Sequence, residues 1–406
     1  MKILHTADWH LGKRLEQCER TDEHQHFLDW LIGVIDQHEI DVLLIAGDVF
    51  DTGSPSNAAL KQYYDFLWAL RKTNCREVII IGGNHDSVST LNAPQTLLKH
   101  FRVHVVGGVP LEFTDQIIPV INASGKTEIV ICAVPFLRDK DVRLSIPGET
   151  HTEREARLKE GICAHYRQIA AHIAPYKTQQ IPVIAMGHLF AAGGSASESE
   201  KEIHVGNLGQ IGGDQFPIDF DYIALGHLHR PQIVNSMTHV RYSGSPIPLS
   251  FSEVEDHKLI LILNFSENQL VAVEELPVPC CRKLVRFKGD LDEVKRRMHA
   301  FAVGDHLYPA WAEVQVETDN YIPDLDGQLA QITQTMPHLE RVFTRQIRLK
   351  PTVALDAESF NEFTNLQELE PKDVFRKKCD SVFGEGEYFD LLSTFDELLE
   401  KMTQTE

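Results

Sequence analysis

Carboxylate, amide and imidazole side chains occur in five short clusters, each next to an apolar run that is typical of a buried strand. The clusters hold Asp8 and His10, Asp48, Asn84 and His85, His188, and His227 and His229. Four of the five directly follow a glycine, which lets backbone or ligand approach closely. Oxygen and nitrogen ligands without a thiolate suit octahedral Mn²⁺, Fe²⁺ or Mg²⁺ better than structural zinc. The pattern therefore predicts a metal centre.

Asp48 is the residue around which this centre is organised. It follows the apolar run Val42-Leu43-Leu44-Ile45, which ends abruptly at Ala46-Gly47. In Asp8-x-His10 and His227-x-His229, the spacing places both side chains of each pair on the same side of an extended chain. We expect Asp48 to lie between two metal ions, with the other clusters supplying the remaining ligands.

The composition is that of an ordinary globular protein, with 43% hydrophobic and 24% charged residues among 406. No apolar stretch reaches the ~18 residues of a membrane span, and the first residues lack the features of a leader peptide. Seven cysteines without a CxxC pair favour reduced thiols over a disulfide framework. We therefore expect a cytoplasmic protein with no membrane association.

The formal net charge of −20 does not suggest a nucleic-acid partner. It does not exclude one either, because residues 351–406 alone carry 14 acidic and 5 basic side chains. In contrast to the acidic region 351–406, the segment from 282 to 297 carries a run of positively charged side chains: Arg282, Lys283, Arg286, Lys288, Lys295, Arg296 and Arg297. It is either a solvated face or a surface that contacts phosphates.

Strands and helices alternate from residue 1 to about 276, which predicts a layered α/β domain. One predicted helix begins at Ser54-Pro55 and runs to Leu70, and another covers 87–100. Residues 281–350 change to a strand, helix, strand, helix, strand rhythm, after the linker Pro277-Val278-Pro279. The final region, 351–406, has helical spacing on an acidic background. It is either a solvated appendage or a surface that docks on a partner.

The stretch Ser124-Gly125-Lys126-Thr127 looks like the end of a nucleotide-binding P-loop, but two features argue against that function. Position 120 is Val where the motif needs its first glycine, and the following residues predict a strand instead of a helix. We expect a hairpin turn and no ATP binding by this chain.

The order D-x-H, G-D-x-x-D, G-N-H-D, G-H and G-H-x-H resembles that of the calcineurin-like metallophosphoesterases. The stretches 5–12, 47–55 and 242–251 are similar to the SbcD family of bacterial nuclease subunits. This resemblance implies a layered β-sandwich flanked by helices (1–276), a small α+β capping domain that positions DNA (281–350) and a C-terminal helical tail that binds an ATPase subunit (351–406).

By the same resemblance the ligands divide into two sets that share Asp48. Asp8, His10, Asp48 and His229 would hold one divalent cation, and Asp48, Asn84, His188 and His227 would hold the other. The most suitable ion is Mn²⁺, with Mg²⁺ and Fe²⁺ as alternatives.

His85 lies next to a ligand and is the candidate general acid, or charge stabiliser, at the leaving oxygen. Asp51, three residues beyond Asp48, is the expected partner that orients His85 and raises its pKa. Archaeal and eukaryotic relatives carry a histidine at the position of Asp51, so any role of that histidine in handling DNA does not transfer.

The resemblance implies a homodimeric DNA nuclease of an SbcCD-type complex with an SbcC-like ATPase, active in DNA repair, recombination and replication. Its activities would be ATP-dependent 3′–5′ exonuclease action on duplex ends and endonuclease action on single strands and hairpins. A small-molecule phosphatase or cyclic-nucleotide phosphodiesterase would use the same metal site but would not need residues 281–406. A non-enzymatic scaffold is disfavoured because every ligand position and His85 are present.

Overall fold

The computed structural model of the chain describes residues 1–144, 146–192, 194, 211–302, 304, 306–319 and 321–348, together with 375, 376, 379, 391, 392, 394 and 395. The predicted helical tail, 351–406, therefore lies outside the described residues except for the last seven positions of that list. Within the described part, no helix is both long enough and apolar enough to cross a bilayer.

The elements are numbered here in chain order. The strands are β1 (Lys2–Thr6), β2 (Arg14–Leu15), β3 (Cys18–Glu19), β4 (Val42–Ala46), β5 (Glu77–Ile81), β6 (Val103–Val106), β7 (Ile117–Ile121), β8 (Thr127–Ala133), β9 (Val183–His188), β10 (Ala191–Ala192), β11 (Ile211–Gly212), β12 (Tyr222–Gly226), β13 (Gln232–Val234), β14 (Met237–Tyr242), β15 (Leu259–Ser266), β16 (Gln269–Pro277), β17 (Arg282–Gly289), β18 (Tyr308–Thr318) and β19 (Leu339–Arg348). The helices are α1 (Thr21–Gln37), α2 (Asn57–Leu70), α3 (Val88–Asn92), α4 (Gln95–Lys99), α5 (Asp139–Val142), α6 (His151–Thr178), α7 (Leu291–Ala300) and α8 (Leu325–Thr333).

Two six-stranded sheets form the centre of the first part of the chain. In one sheet the strand order is β16-β15-β1-β4-β5-β6, and β1, β4, β5 and β6 run parallel. In the other the order is β13-β14-β12-β9-β8-β7, and β14, β12, β9 and β8 run parallel. Parallel strands are buried on both faces, which explains the continuous apolar runs in the sequence.

The two sheets face each other across an apolar layer, and helices cover their outer faces. Residues such as Ile3, Leu44 and Met186 fill the layer between the sheets. Phe27 of α1 belongs to the core outside the first sheet, and Ile169 of α6 to the core outside the second. This arrangement is the layered sandwich that the sequence predicts, and the fold class is confirmed.

Two predicted helices differ from the observed ones, the first in its starting residue and the second because it is interrupted. The helix expected from Ser54-Pro55 begins at Asn57, because Ser56 is the residue whose hydroxyl accepts the Ala59 N–H, at 3.2 Å. The helix expected over 87–100 is interrupted between α3 and α4. Pro94 lies at the break, and a proline inside a helix removes a donor and clashes with the preceding turn.

The P-loop-like stretch forms a turn, as predicted. It connects β7 and β8, which pair antiparallel, and it is closed by the Asn122 side chain. The Asn122 Oδ1 accepts hydrogen bonds from the main-chain N–H groups of Ser124 and Lys126, each at 3.0 Å. No helix follows the turn, so it lacks the helix N-terminus that a P-loop offers to phosphates.

Residues after 281 fold around a second, smaller core. The strands β17, β18 and β19 form a parallel three-stranded sheet. Val294 and Met298 of α7 and Leu329 of α8 pack against Val314 and its neighbours in β18. We call this unit the cap. Its strand, helix, strand, helix, strand order is the one that the sequence rhythm predicts.

A buried ion-pair cluster joins the cap to α1. Glu23 Oε1 lies 3.1 Å from Arg20 Nε and 3.1 Å from Arg282 Nε, and the three side chains are at most 7% exposed. The Arg282 guanidinium also donates to the Pro309 carbonyl at 2.7 Å and lies over the Trp311 ring. One carboxylate therefore connects the two parts of the molecule through two cations.

Replacing Glu23 with alanine is expected to lower the free energy of unfolding by about 3 kcal/mol, because the buried Arg20 guanidinium loses its ion-pair carboxylate while Arg282 keeps Glu340. Chemical denaturation measures this change. Glu19→Ala is the control, since Glu19 is exposed and its loss should cost no more than about 0.5 kcal/mol. Equal stability of the two variants would contradict the assignment.

His5 connects the two sheets. Its Nδ1 lies 3.1 Å from the Tyr222 hydroxyl and its Nε2 lies 3.2 Å from the Leu225 carbonyl, so β1 contacts β12 through this ring. Complete burial lowers the pKa of His5 to about 3. The folded protein therefore holds this imidazole neutral at pH values where an unfolded chain would protonate it.

This difference predicts a pH dependence of stability. At pH values above the unfolded pKa of about 6.5, the ring is neutral in both states and does not affect the free energy of unfolding. Below that pH the unfolded state binds a proton that the folded state does not bind, so stability falls. Between pH 7.5 and pH 5, His5→Gln should therefore lose about 2 kcal/mol less stability than the wild type. Denaturation at the two pH values, with a chelator present, measures the difference. Parallel losses in both proteins would contradict it.

Candidate metal centre

The predicted ligands lie at the carboxyl ends of parallel strands. Asp8 and His10 follow β1, Asp48 follows β4, Asn84 and His85 follow β5, His188 ends β9, and His227 and His229 follow β12. β1, β4 and β5 are neighbours in one sheet, and β9 and β12 are neighbours in the other. Their ends meet at one edge of the sandwich. The structure thus brings all seven predicted ligands and His85 together.

The main chain is strained where it presents these side chains. Asp8, His10, Asp48 and His227 all have positive φ, at 53°, 46°, 48° and 103°. Such a conformation costs of order 1–3 kcal/mol per residue. Hydrogen bonds between the loops after β1 and β4 hold it in place: Asp8 N–H donates to the Gly47 carbonyl at 3.0 Å, and His10 N–H donates to the Asp48 carbonyl at 2.9 Å.

Two of the glycines beside the ligands are required by close packing. A Cβ on Gly83 would lie 2.1 Å from Asp48 Oδ1, and a Cβ on Gly47 would lie 2.3 Å from His188 Nδ1. Gly47 also has a φ of +89°, which favours glycine. Each of these glycines, noted in the sequence because it precedes a predicted ligand, therefore makes room for a different predicted ligand: Gly83 for Asp48, and Gly47 for His188.

Asp48 lies at the centre of the arrangement. Its Oδ2 is 3.2 Å from His188 Nε2 and 3.5 Å from His10 Nε2. Two groups of potential ligand atoms, each within 4.8 Å of one another, contain it: Asp8, His10 and Asp48, and Asp48, His188 and His227. Asp48 is thus placed to contribute to two adjacent ions.

Asn84 joins the second of these groups through its side-chain oxygen. Asn84 Oδ1 lies 3.0 Å from His188 Nε2 and 2.9 Å from His227 Nδ1. An amide oxygen and two ring nitrogens therefore converge on one point. Because the amide is neutral, it adds a donor without adding negative charge.

Hydrogen-bond partners at Nδ1 orient the rings of two predicted ligands, His188 and His229. His188 Nδ1 donates to the Ala46 carbonyl at 2.9 Å, so the ring presents Nε2 to the centre. His229 Nδ1 lies 3.1 Å from Glu253 Oε1. The sequence analysis missed Glu253, although it lies two residues beyond the stretch 242–251 that carries the resemblance.

Asp51 contacts His85 differently from what we predicted. The His85 Nδ1 lies 2.8 Å from the main-chain carbonyl of Asp51, so the carboxylate is not the group that orients this ring. The carboxylate instead lies 3.3 Å from His10 Nδ1 and 3.0 Å from Lys13 Nζ. The physical reason is the main-chain course: the residues around Asp51 pair with the loop after β1, through the bridge between Leu11 and Phe50.

Asp86 is a second residue that the sequence analysis did not assign. Its carboxylate accepts the main-chain N–H groups of Val49 at 3.1 Å, Phe50 at 3.0 Å and Gly83 at 2.9 Å. These contacts hold the loop after β4 against the loop after β5. The last residue of the G-N-H-D motif therefore positions the loops that carry Asp48 and Asn84.

Comparison with known proteins agrees with this geometry. The calcineurin-like phosphoesterase family matches residues 1–231, which include every predicted ligand together with His85 and Asp51. The Type 5 capsule protein repressor C-terminal domain family matches residues 280–383, which include the cap. The chain is 36% identical to SbcD of the nuclease SbcCD from Escherichia coli (strain K12), over 93% of this chain and 92% of the relative.

The chain is a calcineurin-like phosphoesterase of the SbcD family. Further relatives bear the same name. The one from Rhodobacter capsulatus is 33% identical over 84% of this chain and 89% of its own length. The one from Bacillus subtilis is 34% identical over 71% and 72%. The family resemblance that the sequence motifs indicated is confirmed.

Membership of this phosphoesterase family implies divalent metal binding, and the buried groups fit it. Asp8 Oδ2 is buried without a hydrogen-bond partner among the residues that the structure describes. Burial raises the pKa of Asp8 to about 7. Burial opposes ionisation of Asp48 as well, but His188 overrides it and holds the pKa of Asp48 well below its usual range. A bound cation would give the Asp8 Oδ2 atom a partner and would offset the buried negative charge of Asp48.

Proposed function

We propose that the chain is the nuclease component of an SbcCD-type complex and hydrolyses phosphodiester bonds in DNA. The observation that carries this proposal is the convergence of the seven predicted ligands and His85 at one edge of the sandwich. The likeness to SbcD of the Escherichia coli nuclease SbcCD over most of both chains supports it. A centre with two groups of ligands around one shared carboxylate suits phosphoryl chemistry, because two adjacent cations can stabilise both the attacking and the leaving oxygen.

In this proposal Asp8, His10, Asp48 and His229 hold one ion, and Asp48, Asn84, His188 and His227 hold the other. We propose Mn²⁺ as the working ion. The donors mix carboxylates, an amide and imidazoles, a combination that suits Mn²⁺ better than Mg²⁺, which keeps oxygen ligands and several waters.

His85 acts at the leaving oxygen. Its main-chain N–H donates to Asp48 Oδ1 at 2.9 Å and its Nδ1 contacts the Asp51 carbonyl, so the ring is fixed with Nε2 free to reach a substrate. The ring lies edge-on to His10, 4.8 Å between centroids, which puts it beside the ligands and only half-buried. Such a group can deliver a proton or a hydrogen bond to the departing oxygen.

Asp51 acts through His10. Its carboxylate lies against the ring nitrogen of His10 and is held there by Lys13. A carboxylate behind an imidazole ligand fixes the ring and strengthens it as a donor. We therefore propose Asp51 as a positioning residue for His10, in place of the role toward His85 that the sequence analysis expected of its carboxylate.

The cap is proposed to position DNA, although its basic run is less available than the sequence indicates. Arg282 is paired with Glu23, Arg286 with Glu313, Lys288 with Glu317, and Arg296 and Arg297 with Glu293. The pairs of Lys288, Arg296 and Arg297 lie at the surface, where such pairs contribute little and can exchange a carboxylate for a phosphate, whereas Arg286 pairs with a buried carboxylate. Arg282 is excluded from that exchange because it is buried.

We propose that the chain forms a homodimer through an aromatic patch on α2 and around α4. Trp68 and Leu97 are each 60% exposed, and Phe101 is 41% exposed. The Arg71 guanidinium lies 4.6 Å from the Trp68 ring centre and 5.0 Å from that of Phe101, which makes the patch continuous. Trp68→Glu should halve the molar mass measured by light scattering and leave single-strand cleavage intact. A dimer that survives this charge would contradict the choice of surface.

The proposed partner is an SbcC-like ATPase, bound through residues 351–406. The acidic helical pattern of that region and its position after the cap support this. With the partner, the complex would degrade duplex ends from 3′ to 5′ using ATP, and it would cut single strands and hairpins. Deleting 351–406 should remove the partner and spare single-strand cleavage. Complex formation by the shortened chain would contradict the docking role.

The deciding experiment is incubation of the purified chain with hairpin DNA and Mn²⁺, with and without the ATPase. We expect the complex to cleave the hairpin, and the His85→Ala variant to cleave it about 10²–10⁴-fold more slowly. The same preparations are tested on p-nitrophenyl phosphate and on 2′,3′-cyclic AMP. Turnover of either small molecule without DNA cleavage would instead support the phosphatase or cyclic-nucleotide phosphodiesterase.

A further inference from the structure

A buried carboxylate outside the family's ligand motifs contacts the metal centre from behind. Glu253 belongs to a single 3₁₀ turn, Phe251–Glu253, and it is fully buried. Its Oε1 lies 3.1 Å from His229 Nδ1. The ring of His10, which follows β1 at the same edge of the sandwich, lies 5.1 Å from the His229 ring between centroids.

A buried lysine holds this carboxylate in place. Lys258 Nζ lies 2.7 Å from Glu253 Oε2 and also donates to the His229 carbonyl and the Ser245 hydroxyl, each at 3.0 Å. The Leu249 N–H donates to the same Glu253 oxygen at 3.1 Å. Both oxygens of Glu253 are thus satisfied, and the pair is electrically neutral. Such a carboxylate cannot rotate away from His229 without breaking several buried contacts.

Three histidines of the centre differ in the group that contacts their Nδ1 atom. His229 is backed by the carboxylate of Glu253 and His10 by that of Asp51, and both histidines belong to the set with Asp8. His188, in the set with Asn84, is backed by a neutral main-chain carbonyl. A carboxylate behind an imidazole raises its basicity more than a neutral acceptor does, and the loss of such a partner lowers metal affinity about 10–100-fold.

We propose that Glu253 is a positioning residue for His229 and determines the affinity of one of the two ions, the one held with Asp8 and His10. The inference rests on the proposed division of the ligands into two sets. It adds that the affinity for only one of the two ions depends on the Glu253 carboxylate. Removing the carboxylate weakens one ion and leaves the other in place.

The test is Mn²⁺ binding to the full chain, measured by titration calorimetry in the absence of DNA. Glu253→Gln keeps the size of the side chain and removes its charge. We expect one of the two binding steps to weaken about 10–100-fold while the second step stays within a few-fold of the wild type. Glu255→Gln, an exposed neighbour two residues away, is the matched control and should bind as the wild type does.

Glu253→Gln also leaves Lys258 buried without its anion, so the double variant Glu253→Gln/Lys258→Met is measured beside it. Unfolding with a chelator present shows that each variant is folded. The proposal is overturned if the isotherm of the folded variants equals that of the wild type, or if both steps weaken equally. Metal binding is read without substrate, so a wild type that fails to cleave DNA would contradict the nuclease function and leave this result standing.

Discussion

His85→Ala is expected to lower the rate of phosphodiester cleavage by about 10²–10⁴-fold while both metal ions stay bound. The reason is the position of the ring. It is held by the main-chain N–H of His85 on Asp48 and by Nδ1 on the Asp51 carbonyl, and both contacts leave Nε2 pointing away from them. Alanine keeps the main-chain contact to Asp48 and removes only the imidazole. The proposed proton donor is lost and the proposed ligand set is preserved.

Two measurements on one preparation separate this role from that of a ligand. Single-turnover cleavage of a single-stranded oligonucleotide gives the rate, and elemental analysis after dialysis gives the metal content. His100→Ala removes an exposed histidine and should change neither value. If manganese content falls together with the rate in His85→Ala, then His85 is a ligand and the proposed role is wrong.

Asp48→Asn should remove both ions. Asp48 is the residue common to the two groups of ligand atoms, and it is buried at 1% exposure, so no solvent molecule easily takes its place. The variant keeps the shape and loses the charge that offsets two cations. Because adjacent cations contribute several kcal/mol to the stabilisation of the transition state, we expect cleavage to fall by at least about 10³-fold.

The informative comparison for this variant is Asn84→Ala, which removes a ligand from one group only. Calorimetric titration with Mn²⁺ should show two binding steps in the wild type, one in Asn84→Ala and none in Asp48→Asn. Asp36→Asn, an exposed change on α1, is the control and should keep both steps. One intact step in Asp48→Asn would mean that Asp48 is not shared.

The location of the ligands was predictable because it depends on local pattern. An apolar run that stops at a glycine and a polar residue marks a strand end, and parallel strands bring their carboxyl ends to one edge. The contact between Glu253 and His229 was not predictable in this way. It joins a 3₁₀ turn before β15 to the loop after β12, and only the folded chain brings the two together.

The contact of the Asp51 carboxylate with His10 was missed for a different reason. Sequence spacing places Asp51 close to His85, but it does not tell which of its groups faces the ring. The bridge between Leu11 and Phe50 turns the carboxylate toward His10 and Lys13, and turns the carbonyl toward His85. The break between α3 and α4 follows from a local cause, because Pro94 cannot continue a helix through its position.

The Glu23 pair with Arg20 and Arg282 also limits how the molecule can move. Rotating the cap away from α1 would separate the Arg282 guanidinium from the Glu23 carboxylate, which lie 3.1 Å apart at 7% and 2% exposure, and would bring water into that contact. The ion pair therefore fastens β17 of the cap to α1 and opposes any hinge motion between them.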